Sequence, residues 1–579
     1  MRSNINKKTI KYLAISAGVN LLVAALAIFV FGVNYVVDDD PSMSYLAYGI
    51  FAEPSAKIVF SNVIFGEAIK MLFQIKPSIN WQVALYFAGL CFGGFVSLLE
   101  ILRVGKSKLV MLWTAFVICF FYTSFCEVTF TIVAAYICAQ GFFAFFLAIK
   151  QEDKLGLFLG GAAIFYASLI RFLSVMAVAM FIFVAWILIV AYEYENDNSD
   201  IKERIYILSK RYVMPFLILV LVLGVGFGID RLAYSMGEWA SYDKYNNLRS
   251  DILDNASIIV DDDYEKQAEL GITPAMAASL KAWKFNDPEV FDENLFEQIL
   301  EVSLENRSSY SPHPIMDMAE SIFVLLKTNY ILQAGLILFV FLLCAGIYKN
   351  KKYGIKEAFL IVTLVPLLVQ IFVYAYMGRY VDAVAKTFPP RIITMALMGF
   401  WICLILVEAC CEDTSDLAEK SRTVNIKVIG LSLVLCFLVS IQIREEYKLK
   451  GFSLKSESMI EDAYSYLNDG HVYVMDWKAY QIFMFEYRCW QNPPQGYLDN
   501  ITLLGGCEIN YPPLVEKERK LGLSNPYKSL YENENVYLVS TEYPDIELDY
   551  LRDKYDESIE CELVDTYDRL SVYNFVARK

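Results

Sequence analysis

Residues 12 to 37 (YLAISAGVNLLVAALAIFVFGVNYVV) carry no charge, and a run of that length leaves a chain few choices. About 20 apolar residues in a helix cross a hydrocarbon core of about 30 Å. Within hydrocarbon the backbone must satisfy its own hydrogen bonds, which a single helix can do. The run is too long for a secretory signal and lacks a small-residue cleavage site, so it reads as a span. Comparable runs recur at 80–101, 109–124, 128–148, 156–170, 173–192, 212–229, 330–348, 357–376, 391–409 and 426–443. About eleven transmembrane helices are therefore expected over residues 1–443, a multi-pass α-helical protein of a lipid bilayer.

Orientation is read from lysine and arginine, which concentrate in cytoplasmic links. Arg2, Lys7, Lys8 and Lys11 precede the first run. With the amino terminus inside, the inner links carry Arg103, Lys106 and Lys108; Lys150 and Lys154; Lys202, Arg204, Lys210 and Arg211; Lys349, Lys351, Lys352 and Lys356; and Lys420, Arg422 and Lys427. The short outer links hold Lys57, Lys70, Lys76, Arg171, Arg379, Lys386 and Arg391. The expectation is a cell-membrane protein with its amino terminus in the cytoplasm and its carboxyl-terminal domain outside.

The net charge of −15 is uneven. Between Asp230 and Glu320 stand 19 acidic and 7 basic residues, and from Arg444 onward 25 and 15, so these two regions hold −22 and the remainder +7. An acidic exterior disfavours nucleic acid, whose binding depends on neutralising phosphates. The region 230–329 is too long for a simple connection; it contains an acidic turn at Asp261 to Asp263 and predicts a helix after Asp287 and Pro288. Residues 444–579 read as a small extracytoplasmic α/β domain: 471–476, 535–540, 560–567 and 569–576 have strand character, and 544–555 reads as a crossover helix. It contains no phosphate-binding glycine motif. Cys489, Cys507 and Cys561 fall in this domain, and a Cys489 to Cys507 bridge is one reading. Two histidines, His313 and His471, and no CxxC or HExxH leave little basis for zinc.

Candidate chemistry gathers at the outer ends of the spans. Asp38, Asp39 and Asp40 follow the first span. Between Asp40 and the second span, Val63, Ile64, Ala68, Leu72 and Phe73 recur near helical spacing, with Glu67 and Lys70 among them, which predicts an amphipathic helix at the outer interface. Glu127 lies in the tight turn between the third and fourth spans, Arg171 between the fifth and sixth, and Arg379 and Arg391 flank the turn before the tenth. A carboxylate beside arginines suits removal of a proton from an acceptor hydroxyl while a leaving phosphate is held, because the guanidinium fork matches phosphate oxygens. On the bland reading the aspartates are a solvated cap and the arginines are anchors.

These residues also carry a resemblance. A first span ending in Asp-Asp, an interface helix and FSNVIFGEAIKMLFQIKPSINW before the second span resemble the C-type (GT-C) membrane glycosyltransferases. The resemblance is closer to a poorly characterised bacterial branch marked by two aspartates, two residues and a methionine. Asp39, Asp40 and Met43 match that pattern, and Asp38 is extra. ASLIRFLS, containing Arg171, resembles the family's Arg-Phe junction; GRYVDAVAKTFPPRI, with Arg379 and Arg391, resembles its late exterior turn; YNNLRSD and ELGIT resemble its large loop. The resemblance covers roughly residues 10 to 410. It implies an inverting transfer of sugar from a polyprenyl-phosphate-sugar donor to a glycan, lipid or protein acceptor, with Asp39 and Asp40 catalytic and Arg171, Arg379 and Arg391 binding substrate; Glu127 joins the candidate substrate-binding residues from its place in the outer turn alone. Some members use a divalent cation; this chain departs in having a single Glu127 in a very short second exterior turn. A transporter or lipid flippase would instead predict spans broken at Gly or Pro, for which Pro366 is a candidate, and charges near span centres. A non-catalytic envelope scaffold would leave Asp39 and Arg171 dispensable.

Overall fold

The apolar runs become helices, as a backbone without water requires. The computed structural model describes residues 7–411 and 467–578, except 197–198, 255–256, 306–312, 351–353, 381, 383–384, 486 and 568. Among the described residues nine helices are long and apolar enough to cross a membrane: Lys7–Phe31, Trp81–Val104, Ser107–Cys126, Phe130–Gln151, Phe172–Asn196, Ile201–Tyr234, Tyr330–Ile347, Ile355–Tyr376 and Pro390–Cys410. The expected fifth span forms the shorter apolar helix Lys154–Ile170. The expected eleventh, 426–443, lies outside the described residues. The span Ile355–Tyr376 breaks at Thr363, three residues before Pro366, where the missing amide proton removes the bond to Val362.

Helix Phe130–Gln151 is buried from Phe130 to Ile149 and Pro390–Cys410 over most of its length, whereas Lys7–Phe31 and Ile201–Tyr234 lie at the periphery. Close packing at the centre uses small residues. A Cβ on Gly160 would stand 3.0 Å from the Gly141 carbonyl oxygen and 2.8 Å from the Phe145 nitrogen, so helices Phe130–Gln151 and Lys154–Ile170 approach backbone to backbone.

At one end of the bundle, basic residues from several links sit together. Lys108 and Lys356 both pair with buried Glu408, Lys150 donates to the Cys410 carbonyl, and Arg211 donates to the Lys150 carbonyl at 2.8 Å. The amphipathic segment before the second span is helix Val63–Ile75, capped by Asn62, whose side chain accepts from the Ile64 N–H at 2.9 Å. Its buried face is Phe65, Ile69 and Phe73; Ala68, expected on the apolar face, is exposed.

The carboxyl-terminal region holds a five-stranded sheet: β3 (Val472–Met475), β4 (Ile501–Leu503), β5 (Val536–Ser540), β6 (Ile559–Tyr567) and β7 (Leu570–Ala577), in the order β4-β3-β5-β7-β6. β3 pairs in parallel with β4 and β5, and β7 runs antiparallel to β5 and β6. The four expected strands and the helix Asp545–Lys554 are present. The three residues of β4 are too few to show alternation. The Cys489 to Cys507 bridge does not form: both side chains are buried outside any disulfide, as are most of the other described cysteines.

The large loop is folded onto this sheet. The Phe285 and Asn286 N–H groups donate to the Leu504 carbonyl at 2.6 and 2.8 Å, and the Tyr550 hydroxyl donates to Asp287 at 2.8 Å. Lys284 pairs with buried Glu547 at 2.6 Å. A Cβ on Gly505 would stand 1.6 Å from the Trp283 carbonyl oxygen, so the loop backbone lies directly on the sheet. The expected loop helix is Glu293–Glu305. In the acidic turn Asp261 and Asp262 are exposed, and Asp263 caps helix Tyr264–Glu269 by accepting from the Lys266 N–H.

Candidate functional site

The first and third spans both finish in a π-helical turn, Ala27–Phe31 and Tyr122–Cys126, and each then runs into a two-residue strand. β1 (Asn34–Tyr35) and β2 (Glu127–Val128) pair in parallel, Asn34 opposite Glu127 and Tyr35 opposite Val128. This clamp brings the start of helix Asp39–Tyr48 against the start of helix Phe130–Gln151. Asp39 and Asp40 occupy the first turn of their helix, where the unsatisfied N–H groups favour negative charge.

Consecutive residues on a helix point about 100° apart, so the three aspartates meet three different surroundings. Asp38 accepts from the Trp477 indole at 3.1 Å and from Gln481, both in the carboxyl-terminal unit. Asp40 is fully buried. Its Oδ1 accepts from the Phe130 N–H at 2.9 Å, the Tyr86 hydroxyl at 2.9 Å and Gln82 Nε2 at 3.5 Å, while Oδ2 has no partner. Asp39 alone of the three faces an arginine: Arg391 Nη1 lies 3.1 Å from its Oδ2, and the two side chains keep 41% and 22% exposure. Asp38 and Asp39 are both half-buried, and Asp39 is the one set against an arginine.

Burial is the main cause that raises Asp39 above the ordinary carboxylate range; Arg391 draws it down, Asp38 pushes it up, and Arg171 adds a smaller downward pull. Burial raises Asp40 much further, against the hydrogen bonds from Phe130 and Tyr86. Arg171 is half-buried between two rings, its guanidinium 5.4 Å from the Phe60 centroid and 4.9 Å from that of Phe130, and it donates to the Phe60 carbonyl at 3.1 Å. Burial draws it down to about 10, and the charge it keeps acts on Asp39 and Asp40.

Contacts and fields therefore join Asp39, Asp40, Arg171 and Arg391. Glu127 is half-buried in β2 opposite Asn34. Arg379 sits in the turn after Tyr376; its N–H donates to the Tyr374 carbonyl at 3.0 Å, and its charge acts on the Tyr374 hydroxyl. Sequence reasoning missed Gln82, Tyr86, Ser42, Trp477, Gln481 and Glu508. Gln82 and Tyr86, one helical turn apart at the start of an otherwise apolar span, carried a signal. The carboxyl-terminal residues carried none.

The three aspartates do not form a metal cage, since each is engaged by a different protein donor. Among the described residues no group of three or more His, Cys, Asp or Glu is arranged to hold a metal ion. Comparison with protein families, curated proteins and solved structures finds no match to this chain.

Proposed function

We propose that this chain is a membrane glycosyltransferase that moves a sugar from a polyprenyl-phosphate-linked donor to a cell-envelope acceptor, with the acidic end of the bundle on the outer face. The observation that carries the reading is the division of labour among the aspartates. Asp38 and Asp40 are committed to protein partners, and Asp39 remains partly exposed against Arg391.

Asp39 serves as general base. It takes the proton of the acceptor hydroxyl as that oxygen bonds to the sugar's anomeric carbon, and the bond from that carbon to the phosphate oxygen breaks with its electron pair leaving on the phosphate. Attack opposite the leaving group inverts the anomeric centre. The burial that raises Asp39 makes it a stronger base than an exposed carboxylate. Arg391 and Arg171 supply positive charge where the phosphate gains negative charge. A donor phosphate that draws the Arg391 fork toward itself also releases Asp39 for its proton.

The test is sugar transfer from a labelled polyprenyl-phosphate donor by the purified chain in proteoliposomes. Asp39→Asn lowers turnover by a factor of about 10² to 10⁴ at unchanged membrane abundance, whereas Asp38→Asn retains most of it. Arg391→Lys weakens donor use, because a point charge does not reproduce the fork. Equal turnover in Asp39→Asn and the parent chain defeats the reading.

A further inference from the structure

The carboxyl-terminal unit meets the acidic helix through Glu508, in the loop after β4. This side chain is fully buried. Ser42 donates its hydroxyl to Glu508 Oε1, and Oε2 has no hydrogen-bond partner. Ser42 lies three residues after Asp39 and four after Asp38, so the bond falls on the helix face that those residues share.

Every element around Glu508 contributes polar or titratable groups. Helix Asp39–Tyr48 brings Asp39 and Tyr45, and helix Trp477–Phe485 brings Tyr480, whose buried hydroxyl stands beside Ser42. Helix Glu238–Leu253 of the large loop brings Tyr242, which donates to the Cys507 carbonyl at 2.7 Å, and Arg249, whose charge reaches Cys507. Cys507 and Tyr511 come from its own loop. Among the described residues no ion pair reaches Glu508. Arg249 is engaged by Asn246 at 3.0 Å and lies over the Trp283 ring, and the other groups facing Glu508 are hydroxyls, a thiol and another carboxylate, surroundings that fit a carboxylic acid better than an unpaired buried carboxylate.

We propose that Glu508 is a positioning residue for the Asp39 site: as a neutral carboxylic acid it receives Ser42 and so seats the carboxyl-terminal unit on the helix that carries the aspartates. Its place in catalysis rests on the glycosyltransferase reading, but the seating is measurable without substrate. Burial raises Glu508 above the ordinary carboxylate range, the bonds from Ser42 and Cys507 draw it down, and Asp39 pushes it up. The seated state therefore holds the proton more tightly than the unseated one. Seating is full below the ordinary carboxylate value and weakens as pH rises toward the raised one.

Hydrogen exchange of residues 39–48 in the full chain, in nanodiscs from pH 5 to 9 and corrected for intrinsic rates, reads the seating. In the parent chain protection falls about tenfold or more as pH rises. Glu508→Gln, which stays neutral, loses clearly less protection over the same range, the remaining slope being that of Asp39 and Asp40 on the same helix. Ser42→Ala lowers protection throughout. Protection in the parent chain that does not change with pH, or the same loss with pH in Glu508→Gln as in the parent chain, overturns the proposal. Failure of Asp39-dependent sugar transfer would overturn the enzyme reading and leave these exchange results standing.

Discussion

Three adjacent aspartates of one chemical type end in three roles because a helix turns each one toward a different neighbour. Asp40 is the pin. Its Oδ1 is the acceptor for the first N–H of helix Phe130–Gln151 and for two side chains of the second span. Asp40→Ala leaves those donors buried without an acceptor, at a cost of about 1–3 kcal/mol for each unsatisfied group. Asp40→Asn keeps an acceptor oxygen, and burial already favours the neutral carboxyl there. Thermal unfolding in detergent should therefore show a clear fall in Tm for Asp40→Ala and little change for Asp40→Asn. An Asp40→Ala protein that melts with the parent would show that the three bonds pin nothing.

Among the elements, short irregular pieces do the positioning. Two π-turns and a pair of two-residue strands fix where the acidic helix begins, and π-turns inside helices are often found at functional sites. The loop from Glu238 to Glu305 is equally structural: its segment 283–287 lies on the sheet at Gly505, where the backbones are too close for any side chain. Gly505→Ala drives the Trp283 carbonyl away and forces the loop off Leu504. A cost above the usual 0.5–3 kcal/mol of a point substitution is expected. Limited proteolysis should then cut between Lys281 and Asp287 faster than in the parent chain, and equal cleavage rates would refute the joint.

On the scale of the whole molecule, charge divides the protein into a basic end of the bundle and an acidic carboxyl-terminal unit, and buried carboxyls hold that unit together. Glu518 accepts from Asn286 of the loop at 2.8 Å and from Thr502 of β4, and burial pushes it up to about 7 against those bonds and the pull of Lys517. The folded unit thus holds this proton more tightly than the unfolded chain. Its contribution is full below about 4.5 and is lost as pH rises to about 7, roughly 3 kcal/mol in all. Lys517 is pushed down to about 8 and acts in the opposite sense only above that value. Thermal unfolding of the full chain between pH 4.5 and 7.5 should show Tm falling with pH, with a shallower slope in Glu518→Gln. An unchanged slope in that variant would place the dependence elsewhere.

The helices were legible because each satisfies its own backbone within the run that forms it: Lys7–Phe31, Phe130–Gln151 and Pro390–Cys410 follow from uninterrupted apolar stretches alone. Strand-forming residue types likewise marked β3, β5, β6 and β7, and the end of the first span marked the aspartates. Whether Asp39 or Asp40 is reachable was not legible, since burial depends on Gln82, Tyr86 and Phe130, far along the chain. Nor was the role of Trp477, Gln481 and Glu508, which meet the acidic helix across more than 430 residues. A helix is decided by bonds four residues apart, whereas the surroundings of a side chain are decided by which distant segments pack against it, and only the tertiary structure fixes that packing.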